Sequence, residues 1–121
     1  MDFSLHQGDT KYIHFALKKE DGSPLELVGA QLRWQASRLK APGQFSSTPI
    51  LSKTEESGIE IDDDLNGLVT VVLSPEDTLF LSGIFYHELE TIDASDDVTT
   101  VFTGSFEIKK ALIKPPIPQG A

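Results

Sequence analysis

Four residues in one short segment have the side chains and the turn geometry of a calcium-binding loop. Asp62, Asp64, Asn66 and Gly67 match the opening Asp-x-Asp-x-Asn-Gly of such a loop, in which hard oxygens surround the ion and glycine permits the tight turn. The twelfth position, where the full loop needs a bidentate glutamate, is Leu73. The segment therefore predicts a solvated Asn-Gly hairpin turn, and calcium binding is kept as the alternative.

The histidines and the nucleophile motifs predict no catalytic centre. The three histidines are His6, His14 and His87, and none has a metal-ligand partner at a useful local spacing. We expect hydrogen-bonded or solvated strand histidines, although cross-strand pairing could bring two of them together. There is no Gly-x-Ser-x-Gly elbow and no glycine-rich phosphate loop, and the absence of cysteine excludes thiolate chemistry. We therefore expect a protein that is not an enzyme and has no cofactor.

Two further groups of side chains could bind a partner. Trp34, Phe85, Tyr86 and Phe102 could form a sugar-stacking platform, but aromatic residues in alternating strands are typical of a core or of cross-strand pairs. The core is the favoured interpretation, and carbohydrate binding is kept as the alternative.

A basic patch lies near the proline-rich end of the chain. It comprises Lys109, Lys110 and Lys114, and Pro115 and Pro116 follow it. Lysines blunt exposed strand edges, so the patch could serve solubility alone. Because the whole chain is acidic, the patch could equally contact an acidic neighbouring subunit. Both interpretations stay open.

Alternating apolar and polar residues predict most of the secondary structure as strands. The longer predicted strands are Tyr12–Leu17, Ala30–Arg38, Leu68–Leu73, Ile84–Ile92 and Val98–Ile113, the last with a kink at Gly104. Shorter extended segments are Phe3–Gln7, Leu25–Val28, Ile50–Lys53 and Ile59–Ile61. Ser74, Pro75 and Asp77 form a helix-start signal, which predicts a short helical turn over Ser74–Phe80. Leu39–Pro49, rich in proline, glycine and serine, is predicted to be a mobile irregular loop.

The spacing of these elements predicts an all-β fold. About eight strands separated by turn signals roughly every 8–12 residues are typical of an antiparallel sandwich or barrel. We expect one domain over residues 1–114 and a Pro-rich C-terminal tail over residues 115–121.

Composition restricts the classes of partner. The 121 residues are 39% hydrophobic, which is enough for a globular core, and the net charge is −9. That charge repels nucleic-acid phosphates and anionic membrane surfaces, so we expect no nucleic-acid and no membrane partner. The N-terminus lacks the basic start and apolar stretch of a signal peptide, and cysteine is absent. We therefore expect folding in the cytosol.

The order of several segments resembles a known group of domains. The segments are Phe3–Thr10, Asp21–Ala30, Gly58–Ile61, Asn66–Val71, Leu73–Thr78 and Gly83–Leu89. In this order the sequence resembles the small tail, baseplate and fibre-attachment β-domains of tailed bacteriophages, among them the N-terminal domain of baseplate upper proteins. His87, where we would expect Tyr or Asp, and the length of Leu39–Pro49 depart from that pattern.

The resemblance implies an immunoglobulin-like β-sandwich that serves as a non-enzymatic structural component of a virion. It implies other virion proteins as partners, a homo-oligomer or symmetric assembly, and assembly in the host cytoplasm. Because residues 1–121 leave no room for a fibre or receptor-binding domain, we expect a stand-alone component. The members have no catalytic residues to transfer to this chain.

Overall fold

Nine β-strands and one short helix make up residues 1–113, the part of the chain that the computed structural model describes. The elements are β1 (Phe3–His6), β2 (Lys11–Ala16), β3 (Gln31–Ala41), β4 (Gln44–Phe45), β5 (Leu51–Thr54), β6 (Ile59–Asp63), β7 (Leu68–Leu73), α1 (Pro75–Thr78), β8 (Gly83–Ile92) and β9 (Val98–Lys109). The all-β prediction is confirmed.

The strands form two sheets packed as a sandwich. The larger sheet has the order β1-β9-β8-β3, with β4 and β5 both paired to β3, and the smaller sheet has the order β2-β7-β6. The orders β9-β8-β3 and β2-β7-β6 correspond to the G-F-C and B-E-D arrangements of an immunoglobulin-like sandwich, with β1 added outside β9. The pairs within the sheets are antiparallel except β1–β9, which is parallel, with Phe3 opposite Phe106. That parallel pair departs from the expectation of a purely antiparallel fold.

The core lies between the sheets and is built from the inward residues of each alternating strand. Trp34, Phe85, Leu89 and Phe106 of the larger sheet are fully buried in the same hydrophobic cluster as Val71 of the smaller sheet. Burial in β8 alternates strictly along the strand, as period-two patterning predicts. This packing gives the edge strands a rigid support.

The helix prediction is confirmed over a shorter range. α1 covers Pro75–Thr78, and the carboxylate of Asp77 accepts a hydrogen bond from the backbone N–H of Ser74 at 2.7 Å. Lys53 Nζ donates to the same carboxylate oxygen at 2.8 Å. In residues 1–113 no helix combines the length and apolarity needed to cross a membrane.

The prediction of an irregular loop over Leu39–Pro49 is wrong for residues 39–45, whereas residues 46–49 form no strand, as predicted. β3 continues to Ala41, and β4 returns beside it through a turn in which Gly43 has a positive φ of 74°. The ring of Phe45 stacks on Tyr86, with 3.9 Å between ring centroids. A glycine turn and an aromatic stack therefore order a hairpin where composition indicated a loop.

Three other strand predictions need correction. Leu25–Val28 forms no strand, and only an isolated bridge between Lys18 and Pro24 precedes it. β9 ends at Lys109 rather than Ile113. The pairing of β9 with β8 is irregular between Phe102 and Thr100 of β9, which lie opposite Leu89 and Glu90 of β8. The irregularity is therefore not at Gly104, where the kink was predicted.

Candidate assembly edge beside a buried histidine

The outer side of β2 is an open strand edge. Within residues 1–113 the strand paired with β2 is β7 alone. The N–H of Leu17, just beyond β2, donates to Gly67 O at 2.9 Å. Gly67 immediately precedes β7, so the N–H of residue 17 points towards that strand. Because these groups alternate along an antiparallel strand, the N–H and C=O of Tyr12, His14 and Ala16 point away from β7. The β2 edge, defined as Lys11–Ala16, therefore presents three donor–acceptor pairs outward.

This edge corresponds to a strand position that an immunoglobulin-like sandwich normally fills. In the A-B-E-D sheet of that fold, the first strand lies beside the strand that corresponds to β2. Here β1 pairs with β9 of the other sheet instead. The sheet β2-β7-β6 therefore lacks its outermost strand in the described part of the chain.

A groove runs between the β2 edge and the larger sheet. It has a volume of about 430 Å³, and its walls are the β2 edge on one side and Asp2, Phe3 and Phe102 on the other. The imidazole of His87 lies at its floor. The groove is an opening between the two sheets next to the vacant strand position.

His87 is the centre of a buried hydrogen-bonded chain. Its side chain is fully buried on β8, its Nδ1 lies 3.0 Å from Trp34 Nε1, and its Nε2 lies 2.8 Å from Asp2 Oδ2. An indole N–H can only donate, so Nδ1 accepts and the proton of the neutral ring resides on Nε2. His87 therefore donates to the Asp2 carboxylate and connects the N-terminal segment to the core.

The surroundings of His87 oppose its protonation. Burial lowers the pKa of His87, and the hydrogen bond and charge of Asp2 partly offset that effect. The rings of Phe3, Phe102 and Phe106 pack around the imidazole with centroids 5.3–5.6 Å away. A proton added at Nδ1 would face the Trp34 N–H, so protonation would break that hydrogen bond. The geometry favours a structural role for this histidine.

Gly104 makes room for the hydrogen-bonded series Trp34, His87 and Asp2. It lies opposite His87 in the β8–β9 pair. A Cβ at position 104 would lie 2.9 Å from Asp2 Cγ, nearer still to Asp2 Oδ2, and 3.1 Å from a ring atom of Phe102. A glycine at this position therefore lets the Asp2 carboxylate reach across β9 to His87.

The calcium-like segment forms the predicted hairpin turn between β6 and β7. Asp62 Oδ2 accepts a hydrogen bond from the Thr70 hydroxyl at 2.5 Å. The Asp63 carboxylate accepts hydrogen bonds from the backbone N–H groups of Leu65 and Asn66 and from the side-chain amide of Asn66. The hydrogen bond from the Asn66 side chain is the main cause that lowers the pKa of Asp63. The side chain of Asn66 thus bonds to Asp63, outside the calcium pattern.

The same segment shows no convergent ligand set. Asp62 and Asp64 are exposed, and Leu73 at the twelfth position is fully buried. In residues 1–113 no group of three acidic, histidine or cysteine side chains is placed to hold a metal ion. The arrangement fits a hairpin stabilised by its own side chains.

The four aromatic residues considered for sugar stacking do not share a surface. Trp34 and Phe85 are fully buried, as the core interpretation predicted. Tyr86 lies on the outer face of the larger sheet against Phe45, whereas Phe102 packs on Phe15 inside the groove. The four rings therefore do not form one stacking platform.

The remaining predicted residues are distributed over different surfaces. His14 lies on the β2 edge with Nδ1 2.9 Å from Thr70 Oγ1, and His6 ends β1, so the histidines do not pair. Lys109 and Lys110 are exposed at the end of β9, while Lys114, Pro115 and Pro116 lie outside the described residues.

Sequence reasoning missed the Asp2–His87 contact and the open β2 edge. The contact joins residues 85 positions apart, and no local pattern marks such a pair. No local signal marks the edge either: the short Gly8-Asp9-Thr10 turn between Phe3–Gln7 and Tyr12–Leu17 suits a hairpin, yet β1 and β2 lie in different sheets. Which strands pair with each other is decided by contacts between distant segments, and no local pattern shows these contacts.

Comparison with known proteins does not extend this description. No protein-family model matches the chain, and a search of curated proteins finds no significant match.

Proposed function

We propose that this protein is a non-enzymatic structural component of a tailed-bacteriophage virion, placed in the tail, collar, baseplate or fibre attachment. It acts through protein–protein assembly, and the open β2 edge is the observation that carries the proposal. An edge with three outward donor–acceptor pairs on a rigid sandwich suits β-augmentation, in which a partner strand extends the sheet.

Two further features support this function. The order of segments from Phe3 to Leu89 resembles virion β-domains, whose role is to serve as building blocks. The buried core behind β2, with Ile13 and Phe15 at 6% and 7% exposure, holds the edge in a fixed shape. A rigid edge loses little conformational entropy on pairing, which favours assembly.

The test is whether the protein is incorporated into particles. Particles would be purified from a producing host by density gradient, and their proteins identified and counted by quantitative mass spectrometry. We expect this chain at a fixed copy number relative to the other tail proteins. If it is missing from intact particles and remains in the host lysate, the proposal is wrong.

A pair of variants at one position tests the role of the edge. His14→Pro removes an outward N–H while fitting an edge position, and His14→Thr keeps that N–H. Particles should incorporate the threonine variant and exclude the proline variant. Trp34 fluorescence would show that both variants are folded before incorporation is compared. Equal incorporation would remove the β2 edge from the assembly mechanism.

A further inference from the structure

We propose that the β2 edge pairs with the β2 edge of a second copy of this chain, antiparallel about a two-fold axis at His14. The inference deepens the proposed function and rests on it, since both use this edge for assembly. The occupant of the vacant strand position is then the same strand of an identical molecule.

The backbone of β2 is self-complementary about His14. The outward residues are Tyr12, His14 and Ala16, so an axis at the middle residue places His14 opposite its own copy and Tyr12 opposite Ala16. Each such pair exchanges both backbone hydrogen bonds, about six in total for the three pairs. An isologous contact of this kind closes as a dimer and leaves no further β2 edge exposed.

The side chains on the outer face of the smaller sheet fit the same register. Tyr12 is 57% exposed and Leu68, which lies beside Ala16 on β7, is 40% exposed. In the paired sheet, Tyr12 of one copy, Ala16 of the other and the neighbouring Leu68 form one row across the strands. The small Ala16 side chain lets the tyrosine ring reach Leu68. Two apolar surfaces exposed in each copy are thereby buried.

The low charge of β2 is compatible with pairing between two copies of this acidic chain. The chain has a net charge of −9, yet Lys11–Ala16 contains one lysine and no carboxylate. In the two-fold register the two Lys11 residues lie near opposite ends of the paired stretch, about 20 Å apart at the usual rise of a strand. Pairing of the two β2 strands therefore places no carboxylate of one strand opposite a carboxylate of the other.

Mass and amide exchange measured over a range of concentrations test the proposal. Light scattering coupled to size-exclusion chromatography should show a concentration-dependent shift from 13.3 kDa towards about twice that mass. Hydrogen exchange read by NMR should show the amides of Tyr12, His14 and Ala16 slowing as the dimer forms. The amides of Ile13 and Phe15, which point towards β7, should be protected at every concentration and are the internal control.

Two matched pairs of variants locate the contact. His14→Lys places two ammonium groups opposite each other at the axis and should weaken dimerisation about two- to fivefold, whereas His14→Thr should not. Leu68→Thr should weaken it about fivefold by removing buried apolar area. Leu65→Thr changes an equally apolar side chain, 60% exposed in the turn, and should leave the dimer intact.

Each other outcome overturns the proposal. A chain that stays monomeric to about millimolar concentration has no such dimer. A dimer that survives His14→Lys with fast exchange at Tyr12, His14 and Ala16 uses another surface. Protection of those amides at all concentrations in a monomer means that an intramolecular segment occupies the edge. A monomer found in particles overturns only this inference, and a dimer absent from particles overturns only the virion role.

Discussion

At the scale of single residues, the surroundings of the fully buried His87 suit structure rather than chemistry. Both ring nitrogens are used, one by Trp34 and one by Asp2. The Asp2 contact attaches the segment before β1 to the core, at the floor of the groove beside β2. His87 therefore helps to fix β1 in the larger sheet, which leaves the edge of the smaller sheet open.

The lowered pKa of His87 makes stability depend on pH in a defined direction. Below the ordinary histidine value of 6.5, the unfolded chain binds a proton at position 87 that the folded chain resists. Stability from this group is thus present above pH 6.5 and is lost as pH falls towards the lower folded pKa. Relative to pH 7.5, we expect His87 to remove up to about 1.4 kcal/mol of unfolding free energy at pH 5.5.

His87→Gln is the matched control for this prediction. The glutamine oxygen can accept from Trp34 and its amide can donate to Asp2, but the side chain does not titrate. Urea unfolding followed by fluorescence of Trp34, the single tryptophan, would be compared at the two pH values. Equal loss of stability in both proteins would show that His87 titrates alike in the folded and unfolded chains.

At the scale of elements, alternation in the sequence predicted the long strands because one face of each packs into the core. β2, β3, β7 and β8 follow the predicted segments closely, and the helix-start signal at Ser74 was correct. β4 escaped prediction because two residues are too few to show a period, and its order depends on the contact between Phe45 and the distant Tyr86. The parallel pairing of β1 with β9 was also hidden, since partners are chosen by the fold.

Substitutions at two hairpin glycines, Gly43 and Gly67, distinguish the cost of a left-handed backbone from the cost of a steric clash. Gly67 has φ of +68°, and a Cβ there would lie 2.6 Å from Leu17 O and 2.7 Å from Leu25 O. Gly43 has a similar φ of +74° with nothing within 4 Å. We expect Gly43→Ala to cost about 1 kcal/mol from the left-handed backbone, and Gly67→Ala about 2–4 kcal/mol because the backbone must also move. Chemical unfolding of the two variants measures the difference, and equal costs would show that the β6–β7 turn relaxes freely.

At the scale of the whole molecule, one feature of this acidic sandwich opposes association with other molecules and another favours it. The charge of −9 repels other copies, while the vacant position beside β2 offers backbone hydrogen bonds and apolar surface to a second strand. The basic residues Lys109 and Lys110 offer a different contact, with carboxylates of a neighbouring molecule. Ionic strength distinguishes the two modes because it screens repulsion and attraction alike.

Salt should strengthen pairing through the β2 edge. Because that contact contains few charges and the molecules carry the same sign, raising NaCl from about 0.02 M to about 0.3 M should lower the dimer dissociation constant several-fold by screening repulsion. Sedimentation equilibrium at several salt concentrations measures this dependence, and His14→Thr should follow the wild type. Dissociation that increases with salt would instead indicate attraction between opposite charges. Lys109→Gln and Lys110→Gln would then abolish the salt dependence, and the contact would be assigned to the basic end of β9 rather than to β2.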